Sequence, residues 1–500
     1  MAGDAVSDRQ CTSCHAEGKI TCQSCKLVLY CSAKCAKHHA AKHRRDCKSP
    51  LMKPNWKPSW EMEKRTPAFI GDGPPQVAFG GKKYFWGNVP AIDILNLPAN
   101  EGEDHEKELR LLFAASGDWR NIVKTIASLP VGYDKQLSVF VNDLDFDVVA
   151  RNIIFVLIAL TFDKTTDAVE CMLHVWYSAT IRQSDFDILI NQVRPLIETV
   201  VDKIAGKASN QVLGKTWTFG ANSCRVELPK CLWDQLLAYF EVPKGLTAEG
   251  AYKIRKDVTL ARERVDYRDR HMLLQIPAHR VGMSKFREDG ILLPLGNSRE
   301  KFTVPNPTFF QGADWPMKDS SDPMEGWHYP DVVKVDCGPA TNDLYGKLYY
   351  HVKHVLTSFR SRLAAPGCKF HMLNMNAAEL PQHLAGKDFA RIETSNIADR
   401  AYLGTARTVG LLGPLLQKPA DNPYATLITS YMNAVEEVCL QDGKTSQTDI
   451  AKVFQYLPRP TDLMGMMAAM TTTTHGSNAW MIAALASLHC VRDVEGHFGS

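Results

Sequence analysis

Seven cysteines fall between residues 11 and 47 and one histidine joins their pattern, in the order Cys11-x2-Cys14-x7-Cys22-x2-Cys25-x5-Cys31-x3-Cys35-x7-His43-x3-Cys47. Thiolate and imidazole are the ligands of structural zinc, four to an ion, so eight suffice for two ions. Each Cys-x2-Cys step lets a single turn present two thiolates to one metal. A segment of about 37 residues cannot bury much of a core, so coordination must supply its folding free energy. A disulfide framework is the competing arrangement. It needs an oxidising compartment, yet residues 1–10 are polar with no apolar signal core, and seven cysteines cannot all pair. His38 and His39 are alternatives to His43; the spacing favours His43 and leaves the other two as solvated surface.

This spacing, with its Tyr30-Cys31 step, resembles the MYND zinc finger. Ligands interleave in that family. The resemblance therefore implies one zinc on Cys11, Cys14, Cys31 and Cys35, and a second on Cys22, Cys25, His43 and Cys47. Members that dock proline-containing peptides often carry a tryptophan three residues before the histidine ligand; Ala40 stands there in this chain.

The remaining elements must carry this head. Composition is 45% hydrophobic, 23% charged and 9% aromatic over 500 residues, which fits a globular protein of two to four domains. Net charge is +3, unevenly distributed: residues 1–50 carry nine Lys/Arg against four Asp/Glu. A basic finger on a near-neutral body can meet nucleic acid or acidic partners, and solvated lysines around a zinc site account for it equally well. The longest apolar run, Ile153–Phe162, is about half of the ~20 residues a spanning helix needs, so no membrane is expected. Cysteines 171, 224, 231, 337, 368, 439 and 490 lack metal spacing. Free thiols of this kind fit a reducing cytoplasmic or nuclear compartment.

Residues 48–105 read as a Trp/Pro/Gly linker laid over the next domain, with a short strand at Lys83–Trp86 and a helix starting near Pro90. Residues 106–162 alternate strand and helix: Leu109–Ala115, Trp119–Leu129, Leu137–Val141, Phe146–Leu160. That order opens a doubly wound parallel sheet. Residues 163–340 read as a mostly helical insertion, ending in an irregular, Pro-rich stretch; its long charged helix, Leu246–Met272, is expected to face solvent. The alternation returns over 341–420, and 421–500 reads as a helical C-terminal region, with helices at Tyr424–Leu440, Asp449–Tyr456 and Trp480–Val491.

Ligands of such sheets bind beyond the carboxyl ends of the strands. Those ends carry Gly117, Asp118, Asp143, Asn376 and Ser395, the candidate cofactor-binding residues. Gly117 admits close backbone approach, and Asp143 or Asp145 sits where an acid would bind ribose hydroxyls. Helix capping by Asp118 and by the Asp143–Asp145 stretch is the structural alternative. No residue is singled out as catalytic; Gly-x-Ser-x-Gly, His-Glu-x-x-His and Walker patterns are absent.

The two halves together resemble a Rossmann-like class I S-adenosylmethionine-dependent methyltransferase, with Leu111–Gly117 as its first motif. Registered on Gly117, the motif's acid becomes Phe113, its outer glycines become Ala115 and Trp119, and its adenine-binding acid becomes Asn376. Trp119 is expected to fill cofactor space. A further resemblance rests on Tyr84-Phe85-Trp86-Gly87, Pro90–Asp93, Ser116–Asn121, Arg280–Phe310 and Phe389–Arg400. These look like domain of unknown function 4470, found after MYND fingers in fungal proteins and in the N-terminal part of dynein axonemal assembly factor 3. The reading that results is a zinc-binding protein-interaction adaptor with a degenerate methyltransferase-like body. Two alternatives stand beside it: an S-adenosylmethionine-dependent protein methyltransferase, and a nucleic-acid-binding regulator using the basic finger.

Overall fold

The computed structural model describes residues 9–70, 78–162, 165–363 and 367–433. The finger opens with a hairpin pairing Ile20–Thr21 with Leu29–Tyr30. Helix α1 (Ala33–Cys47) follows. Its N-cap, Ser32, has extended backbone and accepts a 3.4 Å hydrogen bond from Cys35 N–H, while Arg44 and Arg45 in the last turn suit the negative end of the helix dipole.

The body is built on one seven-stranded sheet. In chain order its strands are β1 (Leu109–Phe113), β2 (Leu137–Asp143), β3 (Val212–Phe219), β4 (Asn222–Pro229), β5 (Cys368–Asn374), β6 (Arg391–Glu393) and β7 (Thr426–Ile428). Their order in the sheet is β7-β6-β1-β2-β5-β4-β3. Every pair is parallel except the edge pair β3/β4. The chain leaves β1 toward β2 and the β3/β4 hairpin, drops β5 between them, then crosses to β6 and β7. The winding direction therefore reverses between β1 and β6. This is a doubly wound sheet in neither of the two common strand orders.

One face of the sheet packs under α2 (Arg120–Ala127), α3 (Phe146–Thr161), α4 (Thr165–Tyr177) and, later in the chain, α6 (Leu344–Arg362), in the large core. Strand β1 is apolar at four of five positions because both of its faces are covered. Leu112 and Phe140 point to the other face and meet Leu380, Leu384, Phe389, Leu412 and Leu415. The run Ile153–Ala159 lies wholly buried within α3. No helix of the described residues is long and apolar enough to cross a membrane.

The finger is docked rather than tethered. Leu27, Val28 and Tyr30 pack with Ala278 and Val281 of α5 (Pro277–Asp289) and with Leu295. Asn342, just before α6, donates from its side chain to Cys25 C=O at 3.0 Å and from its backbone to Lys26 C=O at 3.1 Å. Arg9 pairs with Asp336 at 2.7 Å. The segment after the finger is strapped down as well. The Arg280 guanidinium sits 4.9 Å from the centre of the Trp56 ring, Ser59 bonds Asp269, and Arg65 pairs with Asp266.

Several sequence expectations change. The 163–340 stretch is not a helical insertion alone: it adds β3 and β4 to the sheet. Alternating Cys224, Val226 and Leu228 bury one face of β4, and Gly220, at φ +59°, turns the hairpin. Lys83–Trp86 forms no strand, only a bridge from Lys83 to Met317, and no helix begins at Pro90. Leu246–Met272 is two helices, Ala248–Thr259 and Val265–Leu273, separated by a tight turn at Arg262–Arg264. Its charges are only partly solvated: Lys253, Lys256, Asp257, Arg262 and Glu263 are exposed. Arg255, Arg264, Asp266 and Asp269 are buried, with Arg264 paired to Asp319 at 2.8 Å. In place of a helix from Tyr424, the described residues show strand β7. The expected helices at Asp449–Tyr456 and Trp480–Val491 lie outside the described residues.

Candidate functional site

Folding brings the eight finger ligands into two separate groups. Cys11, Cys14, Cys31 and Cys35 form one; Cys22, Cys25, His43 and Cys47 form the other. Within each, all four ligand atoms lie within 4.8 Å of one another. Contacts include Cys14 Sγ–Cys31 Sγ and Cys31 Sγ–Cys35 Sγ at 3.5 Å, Cys22 Sγ–Cys47 Sγ at 3.8 Å and Cys25 Sγ–His43 Nε2 at 3.3 Å. A tetrahedron with metal–sulfur bonds of about 2.3 Å has edges of about 3.7 Å, so the spacing suits zinc.

The interleaving has a local cause. Each early Cys-x2-Cys pair sits on a tight turn, helped by positive φ at His15 and Lys26. Helix α1 then offers Cys35 near its start to one group, and His43 and Cys47, one turn apart, to the other. Burial, and then the neighbouring Cys22 and Cys47, push the Cys25 thiol up, whereas burial lowers His43 and keeps its imidazole neutral. Three thiolates in such contact require a cation among them, and a neutral imidazole is the form that ligates. The donor sets therefore fit two zinc ions. His38 is exposed and bonds Ser13; His39, expected at the surface, is half-buried and bonds the Tyr30 hydroxyl at 3.1 Å. Ala40 is exposed.

The five candidate cofactor-binding residues do not share one role. Gly117 has φ +54°, open space where a side chain would project, and an N–H bonded to Asp143 Oδ2 at 2.9 Å. The other oxygen of Asp143 accepts from Asp145 N–H at 2.9 Å, and Asp145 caps α3. Asp118 is 6% exposed; it accepts from Gly87 N–H at 2.9 Å and pairs with Arg120 at 2.6 Å. Asn376 caps its own turn by accepting from Ala378 N–H. Ser395, with φ +50°, donates its N–H to Glu393 Oε1 at 2.7 Å. Trp119 lies inside the core, stacked on Phe155 at 5.3 Å and edge-on to Phe370, with its indole N–H on Asn152 C=O.

Asp118 and its neighbours knit the lead-in segment to α2. Arg120 Nε donates to Val89 C=O, Asn121 accepts from Ile92 N–H, and a side chain at Gly87 would collide with the Arg120 guanidinium. Further along, Asn306 is fully buried and donates to the carbonyls of Val175 and Ser178, which ties the Pro305–Thr308 turn to the end of α4. Arg151 reaches Thr308 and stacks over Phe85 and Phe309, and burial lowers its guanidinium to about 9. Of these, Phe85, Gly87, Asp118, Arg120, Asn121, Asn306 and Thr308 belong to the segments on which the second resemblance rests, and here they lock elements together.

Sequence reading did not find Glu393. It is 3% exposed at the end of β6, and burial raises its carboxyl to about 7 against the pull of the Ser395 N–H and Arg120. No local pattern marks it, because its surroundings come from α2 and the loop after β6.

Two segments of the chain match known families. Residues 11–47 match the MYND finger, and residues 85–181 match Domain of unknown function (DUF4470). No curated protein and no solved structure matches the chain. The second match runs from the lead-in segment through β1, α2, β2, α3 and α4; it contains the contacts of Gly87, Asp118, Arg120 and Asn121, whereas Asn306, Thr308 and Phe309 lie outside it. A MYND-type zinc finger with two complete Cys/His clusters, followed by a DUF4470 segment on a parallel sheet, is what the chain contains.

Proposed function

We propose that the protein is a zinc-dependent protein-interaction adaptor whose α/β body is a rigid platform rather than a transferase. The observation that carries this reading is the completeness of both ligand clusters beside the self-satisfied strand tips. At those tips Asp118, Asp143 and Asn376 satisfy backbone N–H groups and caps, and the glycine-rich loop of a nucleotide site is reduced to Gly117. The proposed compartment is cytoplasmic or nuclear, where thiols outside the finger stay reduced. The test is crosslinking of the full-length chain to its cellular partners, comparing wild type with Cys22→Ser and Cys14→Ser. Loss of crosslinks in either variant, with the circular dichroism of the body retained, supports the finger as the recruiting element. Crosslinks unchanged in both would sink it.

A second reading, an S-adenosylmethionine-dependent protein methyltransferase, draws its support from the open space above Gly117 at the reversal point between β1 and β6. Calorimetry decides between the two. Micromolar binding of S-adenosylmethionine, weakened by Gly117→Val or Asp143→Ala, favours the enzyme; no heat of binding favours the platform.

A further inference from the structure

Helix α1 has two unlike sides. The metal side carries Cys35, His43 and Cys47. At 100° per residue, positions 34, 37, 38, 41, 42, 45 and 48 fall within one arc of about 140°, opposite His43 and Cys47 and bordering Cys35 at position 42. Their residues are Lys34, Lys37, His38, Ala41, Lys42, Arg45 and Lys48, and all are exposed. Lys34, Lys37, Lys42 and Lys48 have no carboxylate partner among the described residues; Arg45 pairs with Asp46 at the surface and feels Glu288 of the body. The apolar side of the finger is already taken, since Leu27 and Val28 are packed against α5 and Leu295. The basic stripe stays on the finger's free surface, together with the Cys14–Glu17 turn and the tip around Ile20.

We infer that this stripe is the docking surface for an acidic, Asp/Glu-rich segment of a protein partner. The inference rests on the adaptor reading and names the partner's chemistry. Charge complementarity supplies the attraction. Length sets the size of the partner: fifteen residues of α-helix span about 22 Å, the reach of about seven extended residues. Residues 51–500 add no net positive charge, with 49 Lys/Arg against 51 Asp/Glu. A long polyanion gains nothing beyond the stripe, and a short acidic segment fills it. Nor does the stripe hold a Phe, Tyr or Trp ring on which a base could stack.

The test uses the zinc-loaded full-length chain, a fluorescent peptide of alternating Glu and Gly over about ten residues, and the same peptide with Gln for Glu. Duplex and single-stranded DNA of matched charge run alongside. Expected results are anisotropy-detected binding of the Glu peptide alone, weakened about tenfold as ionic strength rises from about 0.05 M to about 0.3 M. The triple variant Lys34→Glu/Lys37→Glu/Lys42→Glu weakens it at least about tenfold while zinc content stays at wild-type level. A double variant Lys253→Glu/Lys256→Glu, on another exposed helix, leaves it unchanged. Equal binding of the Glu peptide to wild type and triple variant overturns the inference. So does DNA binding tighter than peptide binding and lost in the triple variant. If the triple variant keeps its cellular crosslinks while Cys22→Ser loses them, the acidic-segment inference fails and the adaptor reading stands.

Discussion

At the scale of single residues, the metal ligands and one buried acid make separable predictions. Cys22→Ser removes a thiolate from one cluster and leaves Cys11, Cys14, Cys31 and Cys35 intact. Native mass spectrometry is expected to show one zinc per chain in place of two. Glu393 behaves in the opposite sense to a salt-bridged carboxylate. Its ordinary value of 4.5 lies below the value of about 7 it has when folded. The folded state therefore holds the proton more tightly, and stability falls as pH rises from about 4.5 to about 7. Glu393→Gln removes that loss and can still accept from Ser395 N–H. Its stability relative to wild type is expected to increase by roughly 2 kcal/mol between pH 5 and pH 8 in urea titrations. A flat difference across that range would show that Glu393 ionises freely.

At the scale of elements, the contact between the finger and α6 is the one to probe. Asn342 holds the Cys25-Lys26 turn through two hydrogen bonds, and the next residue, Asp343, caps α6 while accepting from Leu295 N–H at 2.7 Å. Burial raises the Asp343 carboxyl to about 6. Asn342→Ala leaves Cys25 C=O without its side-chain donor at about 1–3 kcal/mol. Hydrogen exchange is expected to speed up at residues 22–30 and in the first turn of α6 together. Faster exchange in the finger alone would mean the two elements are uncoupled. The Ala248–Leu273 region teaches the complementary lesson. Mixed charge reads as a solvated helix from sequence, yet Arg264 and Asp319 are buried as a pair, and buried Asp266 finds the exposed Arg65 across the fold. Charge pattern along a helix does not disclose partners 55 or 201 residues away.

At the scale of the whole molecule, metal and body are expected to melt as one unit. The finger's apolar residues share a core with Ala278, Val281 and Leu295, so zinc bound only by the folded state stabilises that shared core through mass action. Chelation is expected to lower the melting temperature of the entire described body in scanning calorimetry. A body transition that does not move, with only a small finger transition lost, would show two independent domains.

What the sequence determined by itself was local. The eight ligands lie within about 37 residues, and two four-donor sets follow from tetrahedral coordination once the finger's interleaving is recognised. The strands β1 and β2 and the helix α3 were legible because a parallel sheet covered on both faces leaves unbroken apolar runs. Tertiary structure alone decided the rest. The hairpin β3/β4 joins a sheet whose other strands lie far away in sequence, and its half-exposed edge carries only a weak alternation. The fold also supplied the strand-tip residues with partners that local spacing does not disclose: Gly87 and Arg120 for Asp118, and Gly117 for Asp143. The finger looked like a tethered head until α5 and Asn342 closed on it. Each of these is a pairing between distant segments, set by which surfaces meet when the chain collapses, and no local spacing encodes it.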